Sequence, residues 1–304
     1  MFQLNLSCVN RMSVKIYAKT VAYLALAQSL IAFNLVSAKY SLQYISTTDY
    51  LTMRYLFGFI FSLIFYLCAP KHPKKQNVSY SILFLQAVTG GLLFNIPMTK
   101  GLSIIDASVA GIITSLLPIF TILLSCVFFQ AKLTRTNIVA IGFSFLGLLL
   151  ISLSQWHESQ NQHSVSGDLW VLLAMMPEAI YYILSQRFPA PISIFLNSTI
   201  IFGVNALLFV VLFLINPHLI PSIPRPVIFL ISIQGFTSSL YYVFWLKGCR
   251  HAHITLVSIS AAFMPIMTIV LAFLFLHEQI NNIQIAGIVI IIMTIIMQKE
   301  KIRS

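Results

Sequence analysis

The 304 residues are 59% hydrophobic and only 8% charged, with a formal net charge of +11 and a mean hydropathy of +0.91. A water-facing globular surface needs roughly 25% charged residues, so a soluble globular domain is excluded. The apolar runs show no two-residue alternation, which also excludes a transmembrane β-barrel. What remains is an all-α integral membrane protein, each helix needing about 20 residues to cross the hydrocarbon core.

Breaks at charges, prolines and polar clusters predict ten transmembrane helices. In chain order they are Tyr17–Ser37, Tyr50–Cys68, Tyr80–Thr99, Ala107–Phe129, Thr136–Ser154, Asp168–Gln186, Ser193–Asn216, Pro226–Leu246, Ile254–Leu276 and Ile283–Gln298. The first run ends in "LVSA" at Ala38, a loose fit to a signal-peptide cleavage site. Gln28 and Asn34 interrupt it, however, and the run is read as a span. The longest connection, "QWHESQNQHSVSG" (Gln155–Gly167), divides the chain into two halves, 1–154 and 155–304.

Basic residues orient the helices. With a cytoplasmic N-terminus, fourteen of the 18 Lys and Arg residues fall on the inner side. The outer segments hold only Lys39, Lys100 and Arg225, and Arg54 lies within the second span. The asymmetry predicts an even helix count and two cytoplasmic termini in a multi-pass cell-membrane protein (the inner membrane, in a bacterium). The net charge is thus a topology signal. A nucleic-acid partner is not expected, because its patch would gather on one soluble face. The four cysteines, Cys8, Cys68, Cys126 and Cys249, show no CxxC spacing and are expected as free thiols.

One layout occurs twice. "MTKGLSIIDASVAGIITSLLPIF" (Met98–Phe120) is matched by "WLKGCRHAHITLVSISAAFMPIM" (Trp245–Met267), so that Lys247, Gly248 and Pro265 each fall 147 residues after Lys100, Gly101 and Pro118. Lys100–Ala131 and Lys247–Glu278 share nine identities in 32 positions. The same offset sets Val21–Ser37 opposite Asp168–Leu184, the first span on the sixth. Five spans per unit is an odd number, so the second unit enters the bilayer from the opposite face. Inverted repeats of this kind are a layout of secondary transporters. Two oppositely oriented copies give inward-open and outward-open states of similar energy, which small differences in binding can bias.

With these features the chain resembles the EamA family of the drug/metabolite transporter superfamily, from about Tyr17 to Gln298. The resemblance is carried by Arg54 in "TMRYLFGFIF", Pro118 in "SLLPIF", Pro265 in "AFMPIM", the Gly167-Asp168 start of the second half, and the acidic turn "LHEQI" at Glu278. The first half departs from that last feature in "FQAKLT", with Ala131 where the family usually has glutamate. The resemblance implies a ten-helix carrier built from two such halves and says little about the solute.

Glu178 is the sharpest candidate for a functional role. It follows Pro177 near the middle of the sixth span, in "LLAMMPEAIYYIL". An ionised carboxylate at the bilayer centre costs about 2.5–3.5 kcal/mol, so it must face a cavity or a partner, or hold a proton. The functional reading is a contact for a substrate cation or a proton-coupling site; the structural one is a protonated glutamate satisfied by a neighbouring Tyr or Asn. Arg54, near the outer end of the second span, has three candidate roles: snorkelling to the interface, attracting an anionic group, or pairing with Asp49 or Asp106. Pro118, Pro265 and Pro177 each free a backbone carbonyl and permit a bend or gating element. Gln28, Asn34, Gln86, Asn95, Tyr181, Tyr182, Asn205 and Gln234 are the other polar residues placed to line a pathway. Lys100 and Lys247 read as headgroup anchors. His251 and His253 lack further ligands, so no metal is expected.

There is no phosphate-binding G-x-x-x-x-G-K-[ST] loop, no TVGYG-like filter and no catalytic cluster, so neither an enzyme nor a cofactor is expected. The expected function is secondary transport of a small polar metabolite, drug or amino-acid-like solute by alternating access. That reading admits proton coupling through Glu178 and a homodimer. Its rivals are a lipid or glycolipid flippase of the same superfamily, an intramembrane enzyme and a non-transporting scaffold.

Overall fold

The computed structural model describes residues 14–69, 79–129, 164–188, 192–215, 223–251 and 263–278, with single positions elsewhere. The predicted fifth and tenth spans, Thr136–Ser154 and Ile283–Gln298, lie almost wholly outside the described residues. Every regular element among the described residues is a helix. This is what a lipid environment demands of a chain whose backbone polar groups find no water.

The helices are α1 (Val14–Ser41), α2 (Thr47–Cys68), α3 (Tyr80–Ile104), α4 (Ala107–Thr114), α5 (Leu117–Phe129), α6 (Val165–Arg187), α7 (Ile194–Ile215), α8 (Arg225–His251) and α9 (Phe263–Leu276). Six of them, α1, α2, α3, α6, α7 and α8, are long and apolar enough to cross a membrane. They correspond to the first, second, third, sixth, seventh and eighth predicted spans, extended by a few residues where polar ends continue the helix. The N-terminus of α2 shows how such an end is stabilised. The Ser46 hydroxyl oxygen accepts the Asp49 N–H at 3.2 Å and its O–H donates to Asp49 Oδ2 at 2.7 Å, a reciprocal cap.

Two spans are irregular. In α3 the segment Thr89–Leu93, "TGGLL", forms a π-helical turn. Pro97 lies four residues beyond Leu93, where it cannot give the Leu93 carbonyl the amide hydrogen of a regular α-helix. The predicted fourth span is divided into α4 and α5 by a turn at Ser115 and Leu116. Pro118 therefore stands in the first turn of α5, where proline is tolerated, and not in the middle of a helix. Pro265 is likewise the third residue of the described α9, and buried.

The packing is close and particular. The principal neighbours are α1 with α8 and α9, α6 with α3, α4 and α5, α2 with α7 and α8, α3 with α7, and α4 with α9. At the α3–α6 seam, a Cβ on Gly101 would come within 2.5 Å of Val171 Cγ2 and 2.8 Å of the Gly167 carbonyl oxygen. At the α8–α1 seam, a Cβ on Gly248 would come within 2.6 Å of Leu24 Cδ2. The preceding lysines cover aromatic rings: Lys100 Nζ lies 4.9 Å from the Trp170 centroid and Lys247 Nζ 5.7 Å from that of Tyr23. So the repeated Lys-Gly pair is an interhelical seam, the glycine admitting the neighbouring helix and the lysine making a cation–π contact. Because the Gly167 backbone cannot yield as a side-chain tip would, Gly101→Val is expected to destabilise the protein by about 1–3 kcal/mol, read as a lower unfolding temperature in detergent. Among the described residues, Cys68 and Cys249 are free thiols.

Candidate functional site

Glu178 is held near the middle of α6, only 5% exposed. Pro177 sits inside α6 without ending it. One turn on, along the same face of the helix, come Tyr181 and Tyr182. Helix α8 contributes Tyr241, Tyr242 and Trp245, α2 contributes Tyr55, and α7 contributes Phe202; all are buried. Tyr182 and Trp245 lie 4.7 Å apart between ring centroids, Tyr241 and Tyr242 5.1 Å, Phe202 and Tyr242 5.4 Å, and Tyr55 and Phe202 5.6 Å. The edge-on and tilted arrangements are those aromatic quadrupoles favour.

The electrostatics of the cluster are sparse. Tyr55, Tyr181, Tyr182, Tyr241 and Tyr242 lie within electrostatic range of the Glu178 carboxyl group. Among the described residues, no basic side chain or hydrogen-bond donor is paired with that carboxyl. The Tyr181 hydroxyl and Trp245 Nε1 are buried without a hydrogen-bond partner. A buried polar group left in this state costs about 1–3 kcal/mol. Arg54 also approaches Tyr55 and Tyr242, its guanidinium 5.6 Å from the Tyr55 centroid and close to Tyr50, with Nε buried and unpartnered. One acid and one base thus share these two phenol rings as neighbours.

The remaining polar residues singled out in the sequence are all buried, and the structure sorts them into three settings. Gln28, Asn34 and Gln234 join α1 to its neighbours, the first to α6 and the other two at the α1–α8 seam. Gln28 lies beside Tyr182, Asn34 Oδ1 accepts the Thr237 hydroxyl at 2.7 Å, and Gln234 Nε2 donates to Ser41 Oγ at 3.2 Å. Asn95 steadies the cluster itself, its Nδ2 donating to the Tyr55 hydroxyl and the Gly91 carbonyl, both at 2.8 Å. Gln86 and Asn205 serve the backbone. Gln86 Nε2 donates to the Leu184 and Phe188 carbonyls at 3.1 Å each, at the end of α6. Asn205 Oδ1 accepts the Leu92 N–H at 2.7 Å, and its Nδ2 donates to the Ala87 and Ile201 carbonyls at 2.8 Å each.

The π-turn connects these settings. A Cβ on Gly90 would lie 2.7 Å from Tyr181 Cγ, and one on Gly91 would overlap the Asn205 amide. The Gly90 carbonyl accepts the Tyr242 hydroxyl at 3.2 Å. Side chains from α6, α7 and α8 therefore converge on the Gly90-Gly91 pair of α3, which has no side chains of its own. Sequence reasoning missed Tyr55, Tyr241, Tyr242, Trp245 and the π-turn. The available signal was the Tyr-Tyr pair of "LYYVF", which echoes that of "IYYIL".

A helical bundle with at least six membrane-crossing lengths, enclosing a carboxylate and an aromatic wall, defines a multi-pass membrane protein. The sequence pattern of the EamA-like transporter family matches residues 18–153 and again residues 165–298. The chain belongs to that family, and so to a family of transporters. It is similar to the uncharacterized transporter YyaM of Bacillus subtilis, with 28% identity over 280 residues covering 89% of this chain and 90% of that one. It is also similar to the uncharacterized transporter YetK of the same organism, with 21% identity over 286 residues covering 91% and 87%. A protein of known crystal structure shares the fold, with a TM-score of 0.64 at 13% identity over 93% of this chain and 97% of that one.

Proposed function

We propose that this transporter is a secondary carrier of ten spans in two inverted five-span units, residues 1–154 and 155–304, with both termini in the cytoplasm. It moves a small polar metabolite, drug or amino-acid-like solute by alternating access. The observation that carries the reading is a correspondence between the two units. Exchanging each span for the one five places along maps the α1–α8 contact onto α6–α3, α2–α8 onto α7–α3, and α1–α9 onto α6 with α4 and α5; α2–α7 and α4–α9 map onto themselves.

The correspondence extends to residues at the 147-residue offset. The Gly101–Val171 approach answers Gly248–Leu24. Lys100 over Trp170 answers Lys247 over Tyr23. The bond between Leu92 and Asn205 answers the one from Ser239 Oγ to the Gly58 carbonyl at 2.9 Å, and the Tyr55–Phe202 ring pair answers itself. Two copies that pack by one set of contacts have two ways of closing.

Glu178 supplies the chemistry. A carboxylate without a counter-ion among the described residues, set among aromatic faces and unpartnered donors, complements a solute with a positively charged nitrogen and an oxygen acceptor. In the absence of solute the same carboxylate can carry a proton, which gives a basis for proton coupling. The test is a panel of small amines, amino acids and neutral polar solutes, screened for thermal stabilisation of the purified protein and then for exchange flux in proteoliposomes. Amine-bearing solutes are expected to stabilise it, since a ligand of the native state alone raises apparent stability, and to cross the vesicle membrane. Stabilising solutes that never cross would overturn the carrier reading and favour a scaffold.

A further inference from the structure

Glu278, the acidic turn of the sequence, has no part in the pathway above, yet it joins two spans at one end of the bundle. Its Oε1 accepts the Ala107 N–H and its Oε2 the Ser108 N–H, each at 2.9 Å. These are the first amides of α4, donors that a helix leaves without an internal partner, and negative charge is favoured there. Two further features mark the junction. His277, immediately before Glu278, holds a φ of 55°, a left-handed conformation uncommon for a side-chain-bearing residue. Lys39 Nζ donates to the Ile105 carbonyl at 2.8 Å, so the corner between α3 and α4 is gripped from α1 and α9 together.

Beyond the corner α4 and α9 run face to face. A Cβ on Gly111 would lie 2.6 Å from Thr268 Cγ2, and the Thr114 hydroxyl approaches Met264 Sδ at 3.7 Å. The next helix, α5, packs on α6. The contact between the two spans therefore starts at the carboxylate. In the repeat register the position of Glu278 is taken in the first half by Ala131, which has no carboxylate to offer.

We propose that Glu278 is the latch of the gate on this face: its carboxylate holds α4 against α9 while the gate is shut, and opening requires its release from Ala107 and Ser108. The inference rests on the alternating-access reading, but it is tested without any solute. The full-length protein carrying Thr268→Cys, a position with 0% exposure, is reconstituted in liposomes and treated with a membrane-impermeant maleimide from the face bearing Lys39. Labelling of the parent chain is subtracted.

Adding Glu278→Ala is expected to raise the labelling rate at residue 268 by roughly tenfold or more, the shift that loss of one charge-assisted hydrogen bond produces. Glu278→Gln, which keeps one acceptor, is expected to fall between, and it serves as the test if the alanine variant does not fold. Unchanged labelling in both variants, or a lower unfolding temperature with unchanged labelling, overturns the latch, since the carboxylate would then be a static cap. Raised labelling without flux of any solute counts against the carrier reading and leaves the latch standing.

Discussion

Glu178→Gln is expected to insert and fold like the parent protein while losing solute affinity by about 10–100-fold, the change that a lost charge-assisted hydrogen bond corresponds to. The substitution keeps the size of the side chain and its place beside Tyr181 and Tyr182, and removes only the negative charge and the exchangeable proton. Two measurements separate the roles of those two losses. Direct binding of an amine reports on the charge, and flux in proteoliposomes across a pH series reports on the proton. Flux in the parent should vary with pH and flux in the variant should not. If the variant transports with the parent's affinity and the parent's pH profile, Glu178 is a structural residue and the carrier must use another site.

Asn205→Leu should act on the fold first. The amide makes three hydrogen bonds to backbone groups of α3 and α7, and leucine of similar size can make none. The Leu92 N–H and Ala87 carbonyl would be stranded at a depth where no water replaces the partner, each at about 1–3 kcal/mol. A loss of several kcal/mol is therefore expected, seen as a lower unfolding temperature in detergent. Solute affinity should fall with it, because the π-turn that Asn205 braces also carries Gly90 against Tyr181 and Tyr242. Asn205→Asp retains the acceptor for Leu92 and should lose less. A leucine variant as stable as the parent would show that the turn holds itself.

The contrast between these residues marks how far the sequence could be read. Glu178 announced itself because a carboxylate in a greasy run is costly, and that cost is local. The six long spans were legible for the same reason, hydrophobicity being a property of each segment alone. Asn205 looked like any polar residue facing a pathway, because two of its three partners are backbone atoms more than a hundred residues earlier in the chain. Glu278 was recognisable as a family feature, but its task depends on amides at Ala107 and Ser108 that no pattern around residue 278 reveals.

Local pattern also failed for the irregular segments. "TGGLL" is as apolar as its neighbours, so nothing in its hydropathy separates a π-turn from an α-helix. Pro118 looked like a mid-helix break, when the break lies just before it and the proline opens the next helix. Tyr241 and Tyr242 were lost because tyrosine in a membrane protein is equally at home at the interface; only their packing against Trp245 and Tyr181 reveals them as buried.

The wall around Glu178 is made of rings, and rings have few ways to rearrange. Tyrosine and tryptophan each turn about only two side-chain torsions, so they present a large contact surface with little entropy left to lose when a guest arrives. On the carrier reading, a site lined by such rings is shaped before it is filled and discriminates by outline. Exchanging a ring such as Trp245 for methionine, whose unbranched chain adapts to its surroundings, should broaden the range of guests accepted and weaken the hold on each.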